Sequence, residues 1–227
     1  MRYDVVFLDI DGTLLWVDLD IAGYIEDLAP YSGNGGLTTE KAAGPVWRSL
    51  RRHIEENIRH RTEEDLAGFR RRNAAMTAEE LGIEAPVEVL TDVAARRISF
   101  NPYPESEAVL LRLREMGTRI FAVSNWDIEL EKLLDYLGWN DYFDGVIASA
   151  VVGVEKPEGG IFEEALRMGG IHRNRVVHVG NDPITDVVGA SEAGLDTVLV
   201  DRRGVTGASE ATYVLPDLAG LPGIVEG

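Results

Sequence analysis

The sequence predicts an α/β fold: a parallel sheet with helices on both faces, and an all-helical segment inserted after the first strand. Three observations lead there. From residue 101 onward, short apolar runs alternate with stretches of helical periodicity. One more apolar run, Val5-Val6-Phe7-Leu8, stands alone near the start. Between them, residues 16–100 carry helical patterns throughout. Strands joined through helices run parallel, because each crossover returns the chain to the same edge of the sheet.

Residues 3–9 read as the first strand, ending in Asp9-Ile10-Asp11-Gly12-Thr13-Leu14. In the inserted segment Thr38-Thr39-Glu40 begins a helix with apolar positions at Val46, Trp47, Leu50 and Ile54. Pro86 begins another, carrying Val89, Leu90 and Val93, and Ser32-Gly33-Asn34-Gly35-Gly36 is a loop. Asn101-Pro102-Tyr103-Pro104 closes the insertion. Helix 105–117 then leads to strand 120–124, and helix 127–137 to strand 145–149. Helix 159–168 precedes strand 175–180, and helix 183–193 precedes strand 197–200. The expected organisation is a core of residues 1–15 and 101–227 with a helical cap of residues 16–100. Ligands of such sheets bind beyond the carboxyl ends of the strands, where an insertion after the first strand is placed to close over them.

The 227 residues are 45% hydrophobic and 27% charged, the balance of a soluble globular protein. A net charge of −17 repels nucleic acid and anionic lipid, so neither is an expected partner. No run approaches a membrane span, and Met1-Arg2-Tyr3 enters a strand without a leader pattern. Cysteine is absent, which excludes disulfides, thiolate nucleophiles and cysteine metal sites, and the expected location is cytoplasmic. Arg48, Arg51, Arg52, Arg59, Arg61, Arg70, Arg71 and Arg72 crowd into the insertion. They read either as a solvated face among Glu55, Glu56, Glu63 and Glu64, or as receivers of an anionic substrate.

Chemistry gathers at the strand ends. Asp9 and Asp11, two apart, can meet beyond the first strand, and Gly12 permits a turn or a close approach. Two carboxylates there repel unless a cation, a shared proton or a reaction accounts for them. A solvated turn is the plainer alternative for this segment alone. The next strand ends at Ser124-Asn125, a hydroxyl and an amide able to donate to an anion. Lys156-Pro157 follows the third strand, and Gly180-Asn181-Asp182-Pro183-Ile184-Thr185-Asp186 follows the fourth. Each is weak singly; four on one edge are not.

Together, Asp9-x-Asp11-Gly12-Thr13, Ser124, Lys156-Pro157 and the acids at 182 and 186 resemble the four motifs of the haloacid dehalogenase-like (HAD) hydrolase superfamily. The resemblance spans residues 5 to about 200 and implies a Rossmann-like core with a C1-type cap. It implies that Asp9 attacks phosphorus to form an aspartyl-phosphate, while Asp11 protonates the leaving oxygen and then activates water. Ser124 and Lys156, with Asn125 beside them, would hold the phosphoryl oxygens. Mg2+ would take the Asp9 carboxylate, the Asp11 carbonyl and an acid of the fourth motif, with Asp186 orienting Lys156 or a metal-bound water.

The fourth motif departs from the pattern, because Asn181 stands where the family has aspartate. Asp182 is the preferred metal ligand, since a negative group gains more from a dication, with neutral Asn181 as the alternative. The expected activity is a Mg2+-dependent phosphatase acting on a small phosphorylated metabolite. The rivals are a 2-haloacid dehalogenase, which Ser124-Asn125 resembles, and a catalytically idle binding protein. Asp11 favours phosphoryl chemistry over dehalogenation, and the intact motif set speaks against an idle scaffold. His53, His60, His172 and His178 show no ligand spacing, and His178 reads as a hydrogen-bonded core histidine. Trp16 reads as a pocket floor or hinge contact, and Trp126 and Trp139 as packing.

Overall fold

The computed structural model describes residues 1–33, 36–205 and 210–227; residues 34 and 35 of the expected loop lie outside the described residues. The chain divides into two compact units, Met1–Trp16 with Asn101–Gly227, and Val17–Phe100.

The first unit is built on β1 (Val5–Leu8), β4 (Arg119–Ser124), β5 (Gly145–Ala148), β6 (Val176–Gly180), β7 (Asp196–Val200) and β8 (Tyr213–Leu215). All pair in parallel in the order β5-β4-β1-β6-β7-β8. β1 lies inside the sheet and is buried on both faces, which is why it reads as an unbroken apolar run. Leu8 stands opposite both Ala122 and Val179, so the chain leaves β1 level with the ends of β4 and β6. From β1 the strand order runs outward first through β4 and β5 and then, on the other side, through β6 and β7. The order therefore reverses at the end of β1, where ligands of open α/β sheets bind. One face is sealed by α8 (Gly159–Gly169), whose Ile161, Phe162 and Ala165 pack with Val5, Phe7, Phe121 and Val123. The remaining helices are α5 (Ser106–Glu115), α6 (Leu130–Tyr136), α7 (Ser149–Val152), α9 (Gly189–Glu192) and α10 (Leu221–Glu226).

Several elements of this unit differ from expectation, among them α7, which begins at Ser149 inside the strand expected at 145–149, and α10, which was not expected. The helix expected at 183–193 opens as a wide turn, Pro183–Val188, in which the Asp182 carbonyl accepts from Asp186 N (3.1 Å) and Val187 N (3.2 Å). Such five-residue turns occur mostly as isolated bulges, frequently at functional sites. The edge strand β8 was not expected, being three residues long with Val214 exposed, too short to show alternation.

The second unit holds α1 (Ile21–Leu28), α2 (Thr39–Glu56), α3 (Glu63–Leu81) and α4 (Val87–Arg96) around Tyr24, Ile25, Leu28, Val46, Ala78, Leu90 and Val93. Asp20 and Thr62 cap α1 and α3 by accepting from Gly23 N (2.8 Å) and Asp65 N (3.2 Å). The segment is not helical throughout, because β2 (Leu15–Leu19) and β3 (Ile98–Pro102) pair with each other at its two ends. Trp47 and Ile54 of α2 are exposed rather than buried. Arg52 turns inward instead, donating to Asn73 Oδ1 (2.8 Å) and Thr77 Oγ1 (3.3 Å), while Arg48 pairs with Glu80 (2.5 Å). Among the described residues, no helix is long and apolar enough to cross a membrane.

Candidate active site

β1 ends by delivering Asp9, whose N–H donates to Val179 O (2.9 Å). The loop that follows is tight: Leu14 N and Leu15 N both donate to Ile10 O (2.9 and 3.1 Å), and Gly12 N donates to Leu15 O (2.7 Å). Gly12 has φ +79°, and a Cβ there would lie 2.4 Å from the Asn181 amide nitrogen. Both the turn and the close approach therefore require glycine.

Asp9 is 5% exposed and gripped on both oxygens. Its Oδ1 accepts from Ser124 Oγ (2.9 Å) and Lys156 Nζ (2.7 Å), and its Oδ2 from Thr13 Oγ1 (3.2 Å). Lys156 also donates to Asp186 Oδ1 (2.6 Å). Asp186 in turn meets His178 Nε2 (3.0 Å) and accepts from Asp182 N (2.9 Å) through its other oxygen. Gly180 leaves room for that carboxylate, since a Cβ there would fall 2.1 Å from Asp186 Cγ. His178 is buried and hydrogen-bonded, as its place in an apolar strand implies, with its ring edge against Phe162.

One ammonium thus serves two buried carboxylates, and the three groups sum to a single negative charge. Burial raises the pKa of Asp9, and Lys156 and Ser124 oppose that rise without cancelling it. Burial would do the same to Asp186, but Lys156 and the His178 hydrogen bond outweigh it and hold that carboxyl well below its usual range. Burial pulls the Lys156 amine down, and Asp186 and Asp9 more than restore it, so the ammonium stays charged. Burial lowers the His178 pKa despite Asp186, so its imidazole is neutral at pH 7 with Nε2 as the donor.

Four other expected residues fall as follows. Asp11 is exposed, and its backbone bridges to Leu15. Asn125 was expected to face an anion, but its amide grips the Lys156 main chain, donating to the carbonyl (2.8 Å) and accepting from the N–H (2.7 Å). Asp182 caps the wide turn, its Oδ1 accepting from Ile184 N (2.8 Å) and Thr185 N (2.7 Å). Asn181 is the fourth-motif residue that meets the Asp9 loop: its Oδ1 accepts from Thr13 Oγ1 (3.3 Å) and its side chain lies against Gly12. Among the described residues, no three His, Asp or Glu side chains converge as a metal cluster. The bridging role of Thr13 was missed; its place in the Asp-x-Asp-Gly-Thr run was the available signal. Trp16 packs against Tyr103 with centroids 5.0 Å apart and ring planes tilted by 44°.

The profile of the haloacid dehalogenase-like hydrolases matches residues 3–194. The chain belongs to this family. A glyceraldehyde 3-phosphate phosphatase of Methanothermobacter thermautotrophicus is 32% identical over 205 residues, covering 87% of this chain and 85% of that one. A phosphoserine phosphatase of Thermus thermophilus is 34% identical over 222 residues, covering 87% and 88%. Among solved structures, a HAD phosphatase from Thermococcus onnurineus superposes with TM-score 0.63 at 25% identity, over 99% of this chain and 98% of that one. The L-2-haloacid dehalogenase of Xanthobacter autotrophicus gives TM-score 0.66 at 24% identity, over 99% of both, and so shares the fold. The chain is a hydrolase on a fold that serves phosphatases and dehalogenases alike, so the reaction must be argued from side chains.

Proposed function

We propose that this hydrolase is a Mg2+-dependent phosphatase cleaving a small organic phosphate monoester through an aspartyl-phosphate. The observation that carries the reading is the buried Asp9 carboxylate, held by Ser124, Thr13 and Lys156, with a second acid two residues on. The relatives named as glyceraldehyde 3-phosphate and phosphoserine phosphatases support a small phosphorylated substrate.

In this reading one Asp9 oxygen bonds to phosphorus as the bond to the leaving oxygen breaks, and Asp11 supplies the leaving group's proton. Asp11 then takes a proton from the water that opens the acyl-phosphate. Ser124 and Lys156 hold phosphoryl oxygens, and Asn125 and Asp186 keep Lys156 in place. The available donors are all oxygens, which suits a hard dication: the Asp9 carboxylate, the Asp11 carbonyl and the Asn181 amide oxygen. We take Asn181 rather than Asp182 as the ligand, because the Asp182 carboxylate is engaged by two backbone N–H groups. When bound, Mg2+ neutralises charge on the transferring phosphoryl group. The helical unit Val17–Phe100 enters the chain between Asp11 and Ser124, and we assign it substrate selection on that ground.

The test measures phosphate released from p-nitrophenyl phosphate and from sugar phosphates, with Mg2+ or with EDTA, beside halide released from 2-chloropropionate. Phosphate release that needs Mg2+ and falls to background in Asp9→Asn is the expected result. Metal-independent halide release would overturn the reading in favour of a dehalogenase, and an active Asp9→Asn would remove Asp9 as nucleophile.

A further inference from the structure

Arg202 follows β7 in sequence but reaches back to the loop after β1. Its Nη2 donates to the Thr13 carbonyl (2.8 Å) and its Nη1 to Glu105 Oε1 (2.7 Å). Its guanidinium carbon sits 3.4 Å from the centroid of the Tyr103 ring. Its Nε is buried and has no hydrogen-bond partner among the described residues, so the group is placed by fork and stacking rather than by saturating every donor. Glu105, which aims the fork, also accepts from Leu218 N (3.4 Å). Partial burial opposes its ionisation, yet the bond to Arg202 prevails and its pKa is lowered.

What this clamp holds is the point. Thr13 carries the hydroxyl that lies 3.2 Å from Asp9 Oδ2 and 3.3 Å from Asn181 Oδ1. A single hydroxyl proton serves only one of those acceptors at a time, and the position of Thr13 keeps its hydroxyl within reach of both. The neighbouring Leu14 carbonyl is held too, by Tyr103 N (3.0 Å) and Ser106 Oγ (2.6 Å). Successive carbonyls of the loop are therefore tied down by groups remote in sequence, one by Arg202 and one by the chain returning from β3. Tyr103 takes part in both ties, through its ring under Arg202 and its N–H on Leu14.

We propose that Arg202 is a positioning residue for the reaction at Asp9, fixing the Thr13 peptide so that the Thr13 hydroxyl keeps Asp9 and Asn181 in register. Its kinetic consequence rests on the phosphatase reading; its effect on the loop does not. The variants are Arg202→Lys, which keeps the charge but loses the fork and the flat stacking face, Arg202→Ala, and the milder Glu105→Gln. Arg175→Lys, at the exposed pair with Asp4, is the control.

Two readouts are taken: kcat and KM on p-nitrophenyl phosphate, and amide hydrogen exchange of peptides covering residues 10–16 and, for comparison, β4. Arg202→Lys should lower kcat about 10- to 100-fold, the usual effect of losing a supporting partner, with KM little changed. Exchange should quicken in residues 10–16 while β4 stays protected, and free guanidinium ion should restore part of the kcat of Arg202→Ala. Glu105→Gln should show the same pattern more weakly. A kcat equal to wild type, a loss confined to KM, or exchange that quickens across the whole core would overturn the proposal. A wild-type protein without phosphatase activity would sink the phosphatase reading instead, and exchange at residues 10–16 would still decide the clamp.

Discussion

Replacing Lys156 by methionine removes the ammonium that touches Asp9 and Asp186 together, leaving two neighbouring carboxylates that are 5% and 2% exposed. Removing one partner of a buried ion pair costs about 3–5 kcal/mol, because the charge left behind has neither water nor a counterion. For a domain of this size each kcal/mol lowers the melting temperature by about 2–4 °C, so Lys156→Met should melt about 6–20 °C below wild type. Proton uptake by one of the stranded acids caps the loss, which favours the lower half of that range at pH 7. Asp186→Asn should cost less, since the ammonium keeps Asp9 as its partner at 2.7 Å. The double variant Lys156→Met with Asp186→Asn returns the buried charge to a single negative and should be more stable than Lys156→Met alone. The coupling should be about 0.5–3 kcal/mol, as expected for groups in one network. Thermal unfolding followed by far-ultraviolet circular dichroism, in EDTA, reads all four proteins. An unchanged midpoint for Lys156→Met, or a double variant less stable than the single, would refute the charge argument.

Asp182→Ala should lose a cap worth about 0.5–2 kcal/mol and leave the Mg2+ concentration for half-activity nearly unchanged, whereas Asn181→Ala should raise that concentration; the reverse ranking in a Mg2+ titration would return the ligand role to Asp182. In the helical unit the bidentate hydrogen bond from Arg97, at 2.9 and 2.8 Å, holds Asp27 below its ordinary pKa against the opposing effect of burial. A lowered folded-state pKa gives stability that is complete above the unfolded value, about 3.9, and fades as pH falls toward the folded value. Asp27→Asn should therefore be less stable than wild type at pH 7, with the gap closing below about pH 4; a gap undiminished at pH 3 would mean the ion pair is not its source.

The sequence shows its strands in proportion to how fully they are buried. β1, β4 and β6 are covered on both faces and appear as apolar runs; β2 alternates more and less buried residues over only five positions, too few to separate it from the helical pattern that follows. At the site, Asp9, Ser124, Lys156 and Asp186 are legible because strand ends in a parallel sheet converge, and the structure brings these four into one hydrogen-bonded chain. The short polar side chains are less legible, since an Asn or Asp in a loop bonds to main chain as readily as to a ligand. For Asp182 the signal was present: an Asp directly before proline is a helix-start signature, and that is how it bonds. Arg202 carried no signal, because it acts on Thr13 across a separation of 189 residues.

The electrostatics of the site bear on the proposed need for a cation. Lys156 divides its charge between two carboxylates at 2.7 and 2.6 Å, so it offsets only part of the charge of an incoming phosphate dianion. The protein around it carries a net charge of −17, which adds to the repulsion. On the phosphatase reading, a dication is the economical way to bring such a substrate against a buried carboxylate. On the same reading, Asn181 in place of an acid would matter. As a ligand it would bring one unit less of negative charge than an acid, which would weaken the hold on a cation and leave less repulsion toward phosphoryl oxygens. Thr13 links the two sides of that balance, since its hydroxyl lies within reach of both the nucleophile and the Asn181 oxygen.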